Sequence, residues 1–164
     1  MYASLWNFRA YEEREFYRID HFAAAMGVLV HPNYPGEKAN GVAVTDDPVY
    51  QTREQMGRRF YVNAQVGDDL VTNPEAESIA EEMLLHPSNA RLDRVLRASN
   101  RVADGASVLS PEHLDQLRAQ LGTLHREFRR LYGKKAREQF AIEVEFKVTA
   151  DGKLAIKQAR PWVY

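Results

Sequence analysis

The chain contains no cysteine. Disulfide frameworks, thiolate zinc sites and cysteine nucleophiles are therefore excluded, and the absence fits a reducing compartment. Long hydrophobic runs are lacking too. The longest, Phe22 to Val30, falls far short of the ~20 residues that span a bilayer. Nor is there an excess of one charge: 22 basic residues stand against 23 acidic ones, for a net charge of -1. That balance offers no electrostatic footprint for nucleic acid. Met1 leads into Tyr2-Ala3-Ser4-Leu5-Trp6, without the basic-then-apolar form of a secretory leader. No internal repeat or low-complexity tract interrupts the sequence. These absences predict a cytoplasmic domain that engages neither nucleic acid nor membrane.

What remains is 164 residues, 45% hydrophobic and 27% charged, which is one domain's worth of ordinary globular composition. A chain of this length buries roughly 68–70% of its unfolded surface, so its core needs no covalent staples. Met1 to about Ile19 reads as a helix, free of Gly and Pro, with Leu5, Phe8, Glu12 and Phe16 at helical spacing. Met26 to His31 is a short apolar run ending at Pro32, more strand than helix by its length. Pro32 to Lys38 reads as a loop. Gly41 to Thr45 and Arg59 to Val66 read as strands, the second alternating Phe60, Val62, Ala64 and Val66 with more polar neighbours. Between Asn73 and Ser110 the pattern is ambiguous, and Val95 to Ser99 suits helix and strand alike.

Ser110-Pro111-Glu112 marks a helix start, with Ser as cap and Pro at the first helical position. Leu114, Leu117, Leu121, Leu124, Phe128 and Leu131 then recur every three or four residues, a stripe that predicts core packing. Arg126, Arg129, Arg130, Lys134 and Lys135 crowd the end of this helix, and Gly133 suits its stop. The basic cluster reads as a solvated helix end rather than a phosphate site.

The last 25 residues carry the most chemistry. Phe140, Ile142, Val144, Phe146 and Val148 alternate with Ala141, Glu143, Glu145 and Lys147, so one strand face is apolar and the other bears two carboxylates. Asp151-Gly152 signals a hairpin turn, and Lys153 to Arg160 is the return strand. A two-residue loop sets Glu145 opposite Gln158 and Glu143 opposite Arg160, all four on one face. The two carboxylates are then ~6.6 Å apart along the strand. A hard cation such as Mg²⁺ takes one or two carboxylates together with phosphate oxygens, and Arg offers a planar fork for a phosphate. On spacing alone, the plainer account is the better one: an edge hairpin with a water-exposed Glu–Arg pair, worth under ~1 kcal/mol.

A resemblance shifts that balance. Phe140-Ala141-Ile142-Glu143-Val144-Glu145-Phe146, then Asp151-Gly152-Lys153-Leu154, then Gln158-Ala159-Arg160-Pro161, resembles the end of the ATP-grasp nucleotide-binding domain of phosphoenolpyruvate synthases and pyruvate phosphate dikinases. Tyr2 to Asn7 with Arg9-Ala10 and Tyr17-Arg18 is similar to the family's Ala-Ser-Leu-x-x-x-Arg-Ala helix. Met26 to His31 looks like its hinge strand, Asn40 to Asp46 like its Ser-Gly-Val-x-x-Thr segment, and Gln65 to Val71 like its Gly-Glu-x-Val-Val turn. The matches fall in order and leave only about Asn73 to Ala136 weakly covered. Glucan water dikinases and rifampin phosphotransferases share the domain, so the substrate is not specified by it. His31 stands where the family usually has Gln, and Glu143 where Asp is usual. His21, His31, His86, His113 and His125 all lack the Gly-rich, Thr-flanked context of a phosphocarrier.

The resemblance implies an α+β fold, the C-terminal lobe of an ATP-grasp domain with helices packed on an antiparallel sheet. It implies residues 1–164 as a single domain without the N-terminal lobe, the phosphohistidine domain or the pyruvate barrel of the family. The implied activity is ATP-dependent phosphorylation of a histidine on a partner domain, which then phosphorylates pyruvate. Glu145 and Glu143 would hold Mg²⁺, Gln158 and Arg160 would act on the ATP phosphates, and Leu29, Val30 and His31 would meet adenine. Half of a two-lobed site is expected to bind Mg·ATP weakly or not at all and to turn nothing over. The alternative is a stand-alone, non-catalytic binding or assembly module.

Overall fold

The structure, a computed structural model, describes residues 2–51, 56–68, 71, 77–103, 105–135 and 138–162. The chain divides into two compact units, Met1–Asn33 and Tyr34–Tyr164.

In the first unit a 3-10 turn, Tyr2–Trp6, precedes helix α1, Phe8–Phe16. The helix expected from Met1 to Ile19 is thus broken at Asn7, whose side chain accepts from the Ala10 N–H at 2.8 Å. Asn is among the strongest N-caps, so it starts a new helix rather than continuing the old one. Arg14 is the buried residue of α1. Its guanidinium lies 5.3 Å from the Trp6 ring centre and donates to Leu5 O at 2.7 Å and to His21 Nδ1 at 3.0 Å. Met26 to His31 forms no strand, contrary to the sequence expectation, and Leu29 and Val30 are exposed. A strand needs a neighbour for its N–H and C=O groups, and the described residues of this unit contain no other strand.

The second unit is an α+β fold on a six-stranded antiparallel sheet. Its strands are β1 (Ala39–Val44), β2 (Phe60–Val66), β3 (Glu81–Leu85), β4 (Arg94–Arg97), β5 (Ile142–Val148) and β6 (Leu154–Pro161). They lie in the order β4-β3-β2-β1-β5-β6. The ambiguous stretch before Ser110 resolves as the β3 and β4 strands, with Asn89 capping a 3-10 turn, Ala90–Leu92, between them.

Helix α2, Pro111–Leu131, packs on β5 and β6. Ser110 caps it through the His113 N–H at 3.3 Å, with Pro111 at the first position, and Gly133 at φ 61 follows its end. Leu117 and Leu121 are fully buried, while Leu114, Leu124 and Phe128 pack partly buried at the edge of the same core. The leucine stripe is therefore core except at Leu131, the last residue of α2, which is 75% exposed. It meets Phe60, Val62, Met83, Ile142, Val144 and Phe146 from the sheet. Arg118 ties the helix to the β3–β4 connection by donating to Asp93 Oδ2 at 2.7 Å and His86 O at 2.6 Å. The opposite sheet face carries only a small apolar cluster of Val44, Tyr61, Leu84 and Ala141, with Trp162 against it. Its remaining positions are largely polar. No helix among the described residues is long and apolar enough to cross a membrane.

Candidate functional site

The alternation of β5 does what a period of two requires. Ile142, Val144, Phe146 and Val148 are buried beneath α2, while Glu143, Glu145 and Lys147 are half-buried on the other face. β6 returns with Arg160 opposite Glu143 and Gln158 opposite Glu145. The expected cross-strand pairs are present, but two irregularities together produce them. The turn is longer than expected. Thr149 and Lys153 close a three-residue loop, Ala150-Asp151-Gly152, through Thr149 N–H to Lys153 O at 2.9 Å, and Gly152 takes φ 80. A three-residue loop ending in a left-handed Gly is a standard hairpin closure. It shifts the pairs next to the turn by one residue, so that Phe146 meets Ile156. A bulge between Glu145 and Phe146 then restores the register at the carboxylates. Lys153 and Thr149 hydrogen-bond to the Asp151 carboxylate and hold it at about 2.

Of the four side chains, Glu143, Glu145 and Gln158 are half-buried, and Arg160 is exposed. Arg160 donates to Glu143 Oε2 from Nε at 2.9 Å and from Nη2 at 2.8 Å. Lys157 sits 3.8 Å from Glu145 Oε2, and Lys147 pairs with the buried Glu37. Beside them opens a cleft of about 220 Å³, lined by Glu37, Asn40, Asp68, Glu145, Lys147 and Lys157 among others. Val42 stands in register between Glu145 on β5 and Asn63 on β2. Among the described residues, Asn63 Oδ1 is buried there without a hydrogen-bond partner, an acceptor still able to take a donor or a cation. Further across the same face, Tyr50 Oη donates to Glu82 Oε2 at 2.7 Å, and Arg97 pairs with Glu82. The hydrogen bond to Glu82, with burial adding to it, raises the Tyr50 phenol above its ordinary value. Burial, followed by the nearby Glu82 charge, pushes Tyr61 up to about 12.

The structure thus brings together Glu143, Glu145, Gln158 and Arg160. Leu29, Val30 and His31 lie in the other unit, in a segment with neither helix nor strand, where His31 Nδ1 is 2.9 Å from Pro32 O. Sequence reasoning missed Lys147, although it shares the polar half of the β5 alternation. It also missed Lys157, which no alternation rule could place because it belongs to the bulge. Glu37 and Asn63 come from remote segments and have no local signal, whereas Asp68 falls within the Gln65 to Val71 motif without being singled out as a site residue.

As a donor set the hairpin suits a hard cation. Among the described residues no group of three or more His, Asp or Glu is arranged to hold a metal. Mg²⁺, however, takes one or two carboxylates and completes its shell with water and phosphate oxygens. Glu145, half-exposed at the cleft, and the second oxygen of Glu143 fit that requirement. The nearby cations would bear on any phosphate that came with the metal. Comparison with family models, curated proteins and solved structures finds no match for the chain.

Proposed function

We propose that this chain is the ATP-binding lobe of a phosphoenolpyruvate synthase-like phosphotransferase, acting on a partner-domain histidine and through it on pyruvate. The observation that carries the reading is the juxtaposition of Glu143 and Glu145 with Arg160 and Gln158 on one sheet face, beside a cleft that also receives Lys147 and Lys157. Phosphoryl transfer asks a protein chiefly for positioning and for charge stabilisation, and these are the side chains such a site uses. Glu145 and Glu143 would hold Mg²⁺, which when bound screens and orients the phosphate oxygens. Arg160 and Lys157, released from the carboxylates by the incoming cation, would turn to the phosphates, with Gln158 fixing an oxygen between them. The ATP-grasp assignment and the adenine contacts of Leu29, Val30 and His31 belong to the same proposal and rest on the sequence resemblance.

A second reading has its own support. The Glu143–Arg160 pair is closed in the structure, as it would be in a lobe retained only for binding or assembly. Paramagnetic line broadening by Mn·ATP separates the two, because it registers even weak, transient occupancy. The ATP-binding reading expects broadening confined to amides around Glu143, Glu145, Gln158 and Arg160, and its loss in Glu145→Ala. If millimolar Mn·ATP leaves the hairpin amides sharp even after an N-terminal ATP-grasp lobe is added, the assembly reading stands instead.

A further inference from the structure

A second concentration of chemistry lies on the other side of the sheet, at the C-terminal end of α2. A cleft of about 490 Å³ there is lined by Arg58, His125, Arg126, Arg129, Lys134 and Phe140, together with Gly122. Four of these are fixed cations, and none of the described lining residues is a carboxylate. A volume of this size lies within the usual ligand range of ~300–1,000 Å³.

The helix end alone does not account for it. Arg126, Arg129 and Lys134 answer the negative end of the α2 dipole, but Arg58 arrives from the segment before β2. It is held there by a specific device. Its Nη1 donates to His125 Nε2 at 2.9 Å. A guanidinium can only donate, so Nε2 accepts and the imidazole proton sits on Nδ1. Nδ1 then donates to Thr45 Oγ1 at 2.7 Å, and the same oxygen accepts from the Ile142 N–H at 3.0 Å. His125 is buried throughout. A chain of hydrogen bonds thus locks Arg58 against α2 and fastens the cleft to the first residue of β5.

Arg129 lies 5.8 Å from the Phe140 ring centre and donates to the carbonyls of Lys135 and Glu138, which holds it rigidly at the cleft. Among the described residues, the carboxylates that pair with Arg126 and Lys134 compete only weakly. Glu127 is 3.5 Å from Arg126 and Glu138 is 3.7 Å from Lys134, in exposed pairs of little strength.

We propose that this cleft binds a small anion carrying adjacent phosphoryl groups, at a site separate from the Glu143–Arg160 hairpin. Planar, pre-positioned guanidinium groups are the side chains that recognise phosphate oxygens in pairs. Convergence from two elements removes the entropy cost that loose surface lysines would carry.

The test is calorimetric titration of the whole chain with metal-free pyrophosphate, repeated at rising salt. Arg126 and Lys134 are exposed enough to be reversed without disturbing the core, at 69% and 41%. R126E/K134E takes the net charge of the four lining cations from +4 to zero and is expected to weaken pyrophosphate by at least about tenfold. The charge-neutral R126Q/K134Q should fall between it and the unaltered chain, and added salt should weaken binding as surface screening requires. Arg160→Ala, on the hairpin, should leave the affinity unchanged. The proposal is overturned if millimolar pyrophosphate does not bind, if R126E/K134E binds it as well as the unaltered chain, or if binding is lost in Arg160→Ala instead. Failure of Mn·ATP at the hairpin would leave this result untouched.

Discussion

Gly41 sits at the centre of β1, between Ala64 on β2 and Phe146 on β5. A methyl group there would lie 2.4 Å from Phe146 Cζ, 2.8 Å from Phe146 Cε1 and 2.7 Å from the Asn63 carbonyl oxygen. Carbon atoms pack best at ~3.5–4.0 Å, so the ring would have to retreat by about 1 Å. Phe146 is only 1% exposed, and it has no free volume to enter. The Asn63 oxygen belongs to a paired strand and cannot yield without loosening the β1–β2 ladder. Overpacking of this kind costs ~1–3 kcal/mol, and the backbone contact places Gly41→Ala toward the upper end. Replacing Gly also removes ~0.4–1 kcal/mol of unfolded-state freedom, which offsets part of that. The net expectation is a loss of about 2 kcal/mol, or a fall in melting temperature of about 4–8 °C for a chain of this size. Urea and thermal denaturation of Gly41→Ala would measure it. Phe146→Leu in the same chain should recover part of the loss, because it relieves the ring contacts but not the carbonyl. Stability within ~0.5 kcal/mol of the unaltered chain would refute the reasoning, and would mean that Phe146 does not cover β1.

Leu121→Ala, at a fully buried position on α2, should cost ~2–5 kcal/mol in denaturant melts. Arg160→Ala should cost less than ~1 kcal/mol, since the 59% exposed guanidinium shares a pair with a half-buried Glu143; a larger loss would make Arg160 a structural residue. Tyr61 supplies a pH dependence. Its folded phenol is raised from 10.0 to about 12, so its contribution is fully present below pH 10.0 and is lost as pH rises towards about 12. Ultraviolet titration of the folded chain should show, beyond the raised Tyr50, a late phenolate that disappears in Tyr61→Phe, and the variant should lose stability less steeply over that alkaline interval.

The register of the carboxylates shows how a correct expectation can rest on incomplete reasoning. Asp151-Gly152 was legible as a turn, but not its length, because Gly152 serves a three-residue loop as well as a two-residue one. The offset is cancelled by a bulge at Lys157, and nothing in the local pattern marks a bulge. Met26 to His31 shows the converse. A short run, Met26 to Val30, closed by His31 and Pro32, satisfies the local rules for a strand, yet a strand also requires a partner, and none is described in that unit. The long first helix is broken at Asn7 because its side chain caps a new helix start there, which outweighs the helix-favouring composition.

What the sequence settled by itself was short in range. It set the two faces of β5, with Glu143 and Glu145 together on one of them. It also set α2 from its Ser110 cap to its Gly133 stop, with the leucines in the core. These follow from backbone periods of 2 and 3.6 and from hydrogen bonds spanning three or four residues. The tertiary structure alone decided which strand lies beside β5, that Glu37 meets Lys147, that Asn63 is an acceptor unanswered among the described residues, and that Arg58 reaches His125 across 67 residues of chain. Such pairings are chosen by the burial of the whole sheet against α2, a sum over residues far apart in the sequence, which no local window contains.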